Sequence, residues 1–170
     1  MTWASILFML LTVADAQPST PVLRDAILWL APGRVSDRTA RRYAKIIHRE
    51  ARRRSIHGFL FLAFIHTESR WNPRMRSSTD DFGLAQVHVA VRGSARFLGR
   101  EAELYDPETN IREWGRLAAM WRDYHARSCH GASHRWWDHL KWGYRVRRGL
   151  VRVDELLQML IGRFLAPGVS

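Results

Sequence analysis

The chain has 170 residues, enough for one domain with its own hydrophobic core. Apolar residues make up 46%, which excludes wholesale disorder, and the single cysteine, Cys129, excludes an intramolecular disulfide. The formal charge of +11, nearly all of it from arginine, favours a polyanionic partner: nucleic acid, acidic lipid headgroups or an anionic cell wall.

Ile6 to Val13 form an apolar run, and Ala14-Asp15-Ala16 then gives the small-x-small pattern that a signal peptidase accepts. Residues 1–16 are therefore expected to be a secretory signal peptide that sends the protein to the periplasm or outside the cell. The run is too short to cross a hydrocarbon core of about 30 Å. Val22 to Leu30, closed by Pro32-Gly33, forms a lead-in segment over 17–35. Ser36 and Asp37 then supply an N-terminal helix cap. The helix they open places Ala40, Tyr43, Ala44, Ile47 and Ala51 on one face, with arginines elsewhere, and Ser55 to Gly58 break it.

Phe59 to Ile65 are apolar on every side, which predicts a helix buried at the centre of the domain. Trp71-Asn72-Pro73 ends it, because the residue before a proline avoids the helical region. Residues 74–83 are polar and turn-like, and 85–98 are expected to form another helix, interrupted or ended near Gly93. Asp106-Pro107-Glu108 is a helix start with a capping residue followed by proline, and Ile111, Trp114, Leu117, Ala118 and Trp121 continue it. Residues 130–138 are irregular, and 153–165 read as a final amphipathic helix. No strand, repeat or low-complexity tract is predicted. The expected fold is all-α, a single domain over 36–165 with a tail at 166–170.

Glu68 is the residue on which a functional interpretation turns. It follows Ile65 by three residues, Phe64 by four and Phe61 by seven, so it shares their helix face. Desolvation and the negative end of the helix dipole would both oppose its ionisation, the direction a general acid requires. Ser69 could hydrogen-bond that carboxyl or a substrate oxygen, and Gln86 offers a donor and an acceptor suited to sugar hydroxyls or an acetamido group. The bland alternative is a helix-end charge facing water. Spacing alone leaves both open.

The segments FIHTESRWNP, DFGLAQVH and DPETNIREWGRLAAMW occur in the order and approximate spacing of the lytic transglycosylase catalytic domain, which the chain resembles over roughly Arg41 to Tyr124. That family is similar in fold to goose-type lysozyme, so the resemblance implies a lysozyme-like domain. It also implies that Glu68 is the catalytic acid and Ser69 the neighbour that assists it. Gly83, Leu84 and Gln86 would line the saccharide cleft and support the glutamate, and Asn110 and Ile111 would lie on a helix packed behind. The implied reaction cleaves the β-1,4 bond between N-acetylmuramic acid and N-acetylglucosamine in peptidoglycan. One carboxylate first donates a proton to the bridging oxygen, then takes one from the muramyl C6 hydroxyl, leaving a 1,6-anhydro ring. In a late motif the family has Tyr-Asn followed by Gly; here Leu140 and Lys141 precede Gly143, and Tyr144 is the residue that could compensate.

Two alternatives stand beside this activity: lysozyme-like hydrolysis of the same bond, and a non-catalytic wall-binding protein. A carboxylate at Asp80 or Asp81 could position water for hydrolysis, although Asp before Gly83 ordinarily serves the turn. Trp71, Trp142 and Tyr144 could stack on sugar faces, against the commoner use of aromatics in packing. His66 should point away from Glu68. Cys129, His130 and His134 lack the ligand pattern of a structural zinc site, so no metal and no cofactor are expected. The expected partner is the peptidoglycan glycan strand, bound by a monomer, with peripheral contact to an anionic wall or membrane and no nucleic acid.

Overall fold

A computed structural model of the chain describes residues 17–89, 94–129, 136–137 and 147–165. Among these, five α-helices carry the fold: α1 (Thr20–Leu30), α2 (Asp37–Arg54), α3 (Gly58–Ser69), α4 (Pro107–Ser128) and α5 (Arg147–Phe164). The all-α expectation holds. The expected signal peptide and C-terminal tail lie outside the described residues. No helix among the described residues is long and apolar enough to cross a membrane.

Local signals start α2 and α4 where they were expected, whereas α5, expected over 153–165, already begins at Arg147. Ser36 caps α2 by accepting from the backbone N–H of Thr39 at 3.2 Å. Asp106 caps α4 by accepting from Thr109 N–H at 2.8 Å, with Pro107 in the first turn. Such caps each contribute about 1 kcal/mol. At the other end of α2, Ser55 takes a left-handed conformation (φ 51°) and stops the helix. Residues 17–35 are more than a lead-in. They hold α1, whose Leu23, Ala26 and Ile27 are fully buried where it packs on α2.

The core forms around α3. Phe59 through Ile65 are all buried, so this helix has no solvent face over two turns. Its neighbours are α1, α2 and α5. On the α4 side, Trp114 meets Phe61 with ring centroids 4.7 Å apart and Phe64 at 4.9 Å. Gly115 permits that approach, since a Cβ there would lie 3.1 Å from the Phe61 ring. Phe164 of α5 closes the far side, edge-on to both Trp29 and Phe59 at 6.2 Å.

Two expectations need correcting. The described residues of 85–98 (85–89 and 94–98) do not form an α-helix. The chain instead makes a two-residue antiparallel ladder, β1 (Asp81–Phe82) with β2 (Val87–His88), and later a short 3-10 turn at Ala95–Phe97. The apolar residues that suggested a helix (Leu84, Ala85, Val87, Val89 and Phe97) are indeed buried. A turn wrapped on the core buries them, so their spacing does not follow the period of 3.6. The ladder also means that the fold is not wholly free of strand.

A buried helix must satisfy its end groups from within. His57 caps the start of α3, its Nδ1 accepting from Phe59 N–H at 3.3 Å. The ring is therefore held neutral with its proton on Nε2, and that nitrogen is buried without a hydrogen bond. Burial lowers the His57 pKa from the ordinary 6.5 to about 4. A histidine whose folded pKa is depressed favours folding above its unfolded pKa. That contribution is lost as pH falls from 6.5 towards 4, because the unfolded chain binds the proton first. The loss should reach about 3 kcal/mol by pH 4. Urea unfolding at pH 7 and pH 4 should show it, and His57→Asn, which keeps a capping oxygen, should shrink the pH difference by about that amount.

Candidate active site

Glu68 sits in the last turn of α3 and is half-buried, on the same face as the buried Phe61, Phe64 and Ile65. Directly after it the backbone turns sharply, with Arg70 (φ 50°) and Trp71 (φ 69°) both left-handed. That conformation costs an ordinary residue roughly 1–2 kcal/mol. Tertiary contacts offset the cost. The Trp71 indole is buried, lies parallel to Tyr43 of α2 at 6.4 Å, and donates from Nε1 to His66 Nδ1 at 3.2 Å. Trp71 is thus a packing residue, the commoner of its two expected uses. His66 accepts from that indole, so it serves the turn after the helix.

The Ser69 hydroxyl turns its proton toward its own helix. It is buried and donates back to the Ile65 carbonyl at 3.2 Å, as Thr67 does to Ala63 at 2.8 Å. In a helix closed off from water, these hydroxyls take the carbonyls of their own preceding turn. The Ser69 proton is therefore committed to the helix and not to the Glu68 carboxyl.

Backbone hydrogen bonds tie the end of α3 to the Gly83–Gln86 turn. Asn72 N–H donates to Ser69 O at 3.1 Å, Met75 N–H to Asn72 O at 3.3 Å, and Gly83 N–H to Met75 O at 2.9 Å. The Gln86 amide then donates from Nε2 to Met75 O at 3.2 Å and to Gly83 O at 2.9 Å. Gln86 spends its donors on the turn, and its carboxamide oxygen remains outside these bonds. Leu84 is fully buried and anchors the turn from beneath.

Asn110 locks this turn in place. Fully buried in the first turn of α4, it donates from Nδ2 to Phe82 O at 2.7 Å and to Leu104 O at 2.9 Å. Its Oδ1 accepts from Ala85 N–H at 2.8 Å. Gly83 is where the turn comes closest to it. At φ +76°, a Cβ would stand 2.2 Å from Leu104 O and 2.3 Å from Asn110 Nδ2. No other residue fits there without moving backbone.

The carboxylate of Asp81 is absorbed by the preceding loop. It accepts from the Ser77 hydroxyl at 2.6 Å and from Thr79 at 2.8 Å, and His88 Nδ1 lies 3.2 Å away. Asp80 pairs with Arg76 at 2.8 Å, and Arg76 also lies over the Phe82 ring. Both aspartates build the loop. Tyr144, Trp142 and the late Gly143 segment lie outside the described residues, as do His130 and His134.

With this geometry in view, comparison with known proteins is informative. Residues 45–115 match the family model of the Transglycosylase SLT domain. That stretch is similar to an SLT domain. The matched stretch runs from α2 through Glu68 and the Gly83–Gln86 turn to Gly115 of α4. Similar proteins include the membrane-bound lytic murein transglycosylases C of Yersinia pestis (strain Pestoides F) and Yersinia pseudotuberculosis serotype O:1b (strain IP 31758). Each is 34% identical over 82 residues, covering 44% of this chain and 23% of the relative. The chain thus spans about a quarter of the length of these relatives. No solved structure matches it.

Two acidic residues that sequence reasoning passed over are structural. Glu113 is fully buried on α4 between Arg96 and Arg116, the latter pairing at 2.7 Å. Glu50 of α2 is 1% exposed, beside Arg49 at 3.4 Å and Arg54 at 3.6 Å. Composition offers no signal for either, because a buried carboxylate looks like a surface one until its arginine arrives. Asn110 carried a hint: a short amide one turn inside a strongly capped helix competes poorly with better helix formers unless its side chain is used elsewhere.

The turn should be the most sensitive part of the site region. Asn110→Ala would leave two buried carbonyls and one N–H without partners, and thermal or urea unfolding should show a loss of about 3–5 kcal/mol. Gly83→Ala should cost about 3 kcal/mol or more through its Cβ clash and positive φ, whereas Gln86→Ala, on a half-buried side chain, should cost about 1 kcal/mol.

Proposed function

We propose that the protein is a peptidoglycan lytic transglycosylase with Glu68 as its single acid and base. The observation that carries this is the setting of Glu68: a carboxyl at the end of an otherwise buried helix, tethered by consecutive hydrogen bonds to the Gly83–Gln86 turn. The SLT match and the similarity to lytic murein transglycosylases support the same substrate.

Glu68 protonates the oxygen between N-acetylmuramic acid and N-acetylglucosamine as the C1–O bond breaks and positive charge develops on the muramyl ring. The carboxylate so formed takes the proton of the C6 hydroxyl, whose oxygen bonds to C1. The products are a 1,6-anhydromuramyl end and a free N-acetylglucosamine 4-hydroxyl, and the acid is regenerated. Attack from within the same sugar gains a large effective molarity and needs no bound water. The chemistry calls for no metal or cofactor. Its substrate places the enzyme in the periplasm or outside the cell.

Hydrolysis of the same bond is the alternative. It would need a group to hold water opposite the leaving oxygen. The nearest acids in sequence, Asp80 and Asp81, are engaged by Arg76, Ser77 and Thr79, which favours the transglycosylase. Digestion of purified peptidoglycan followed by mass spectrometry decides between them. Anhydro ends are expected, and Glu68→Gln should lower the rate by at least about a hundredfold, the usual share of a general acid. Reducing ends would indicate hydrolysis. A folded, wall-bound protein that yields no products would be a binding protein.

A further inference from the structure

The segment before α1 reaches the start of α3, the helix that carries Glu68. The Gln17 side chain donates from Nε2 to Ile56 O at 3.2 Å and accepts from Gly58 N–H through Oε1 at 3.0 Å. These partners lie 39 and 41 residues further along the chain. Pro18 follows into the fold. Its carbonyl accepts from His48 Nδ1 at 3.1 Å, and its Cγ would meet a Cβ on Gly58 at 3.0 Å, so the proline packs directly on the helix start. Ile56 and Gly58 are both buried, which leaves their peptide groups dependent on protein partners. Gln17 and His57 divide the cap between them: Gln17 holds Gly58 N–H, and His57 holds Phe59 N–H. Without the Gln17 amide, the first N–H of a buried helix and a carbonyl just before it both lose their partner.

Gln17 is also the residue that cleavage after Ala16 would leave first. A glutamine in first position carries its own electrophile. The free α-amine attacks the side-chain Cδ, the N–Cδ bond forms, the Cδ–Nε2 bond breaks, and Nε2 leaves as ammonia. The product is the pyroglutamyl lactam, and no oxidant or co-reactant is needed. Like any N-terminal block, it removes the charge of the amine. The lactam keeps a carbonyl oxygen but has no Nε2, and ring closure folds Cδ back onto its own backbone nitrogen. Such a ring cannot span Ile56 O and Gly58 N–H. Conversely, with both amide heteroatoms held by the start of α3, the side chain must undock before it can cyclise. We propose that Gln17 is a modification site, open to pyroglutamate formation until the chain folds and closed by docking afterwards, whose state decides whether the Glu68 helix keeps its cap. The proposal rests on the leader expected over 1–16 and not on the activity inferred above.

The test starts from the full chain, expressed with its leader and purified, with its first residue read by mass spectrometry. Gln17 is expected there. Spontaneous cyclisation in phosphate buffer is then followed as the loss of one ammonia, for the folded protein and for the protein in guanidinium chloride. It should run at least roughly tenfold slower in the folded protein, since two hydrogen bonds must open first. The cyclised chain is next refolded beside an uncyclised control, and hydrogen exchange at the Gly58 amide is read by NMR. The lactam should speed that exchange at least roughly tenfold, and Gln17→Ala, which removes the cap without any cyclisation, should do the same. Equal cyclisation rates in the two states would overturn the proposal. So would a lactam that leaves Gly58 exchange unchanged, or a mature chain whose first residue is not Gln17.

Discussion

The carboxamide of Asn110 is the interaction on which the site region depends. One side chain, fully excluded from water, satisfies Phe82 O, Leu104 O and Ala85 N–H, each from backbone outside its own helix. A buried peptide group without a partner costs about 1–3 kcal/mol, so these contacts fix the turn in one arrangement more than they add net stability. Gly83 is the counterpart of that lock, because only a residue without a Cβ lets the backbone approach so near. The capped start of α4 holds Asn110 still, and the turn it holds is joined by hydrogen bonds to the segment that follows Glu68.

The same economy governs α3. A helix with no solvent face over most of its length cannot call on water at its ends. It is capped by a neutral histidine, and near its other end Ser69 and Thr67 return their hydroxyls to carbonyls of the preceding turn. Its last turn carries Glu68 and then breaks into two left-handed residues held by the Tyr43–Trp71–His66 contacts. The acid is thus fixed from both sides, by aromatic packing of Phe61 and Phe64 on Trp114 and by the turn after the helix. Charge is arranged differently. Buried carboxylates such as Glu50 and Glu113 each sit against arginines, whereas the surface of α2 keeps cations in excess.

How far the sequence could be read depended on the range of the interaction involved. The caps of α2 and α4 are made by residues within three positions of their partners, so Ser36 and Asp106 announced them directly. The apolar run 59–65 could only be a buried segment, and it is. Residues 85–98 misled because burial in a wrapped turn and burial on a helix face draw on the same residue types. Ser69 involves a related choice. A hydroxyl beside an acid suggests a partner for that acid, but here its proton goes to the helix carbonyl four residues back.

The sequence by itself determined the all-α class, the starts of α2 and α4, and the order of the residues that match the SLT family model, Glu68 among them. These rest on local backbone chemistry and on the order of side-chain types along the chain. Only the tertiary structure decided how those residues are held. Asn110 reaches 25 residues back to Ala85 and 28 to Phe82, and the proximity that makes it a lock exists only once α4 has docked. The same holds for the charge on the surface of α2, since a net local charge depends on which carboxylates fold beside which arginines.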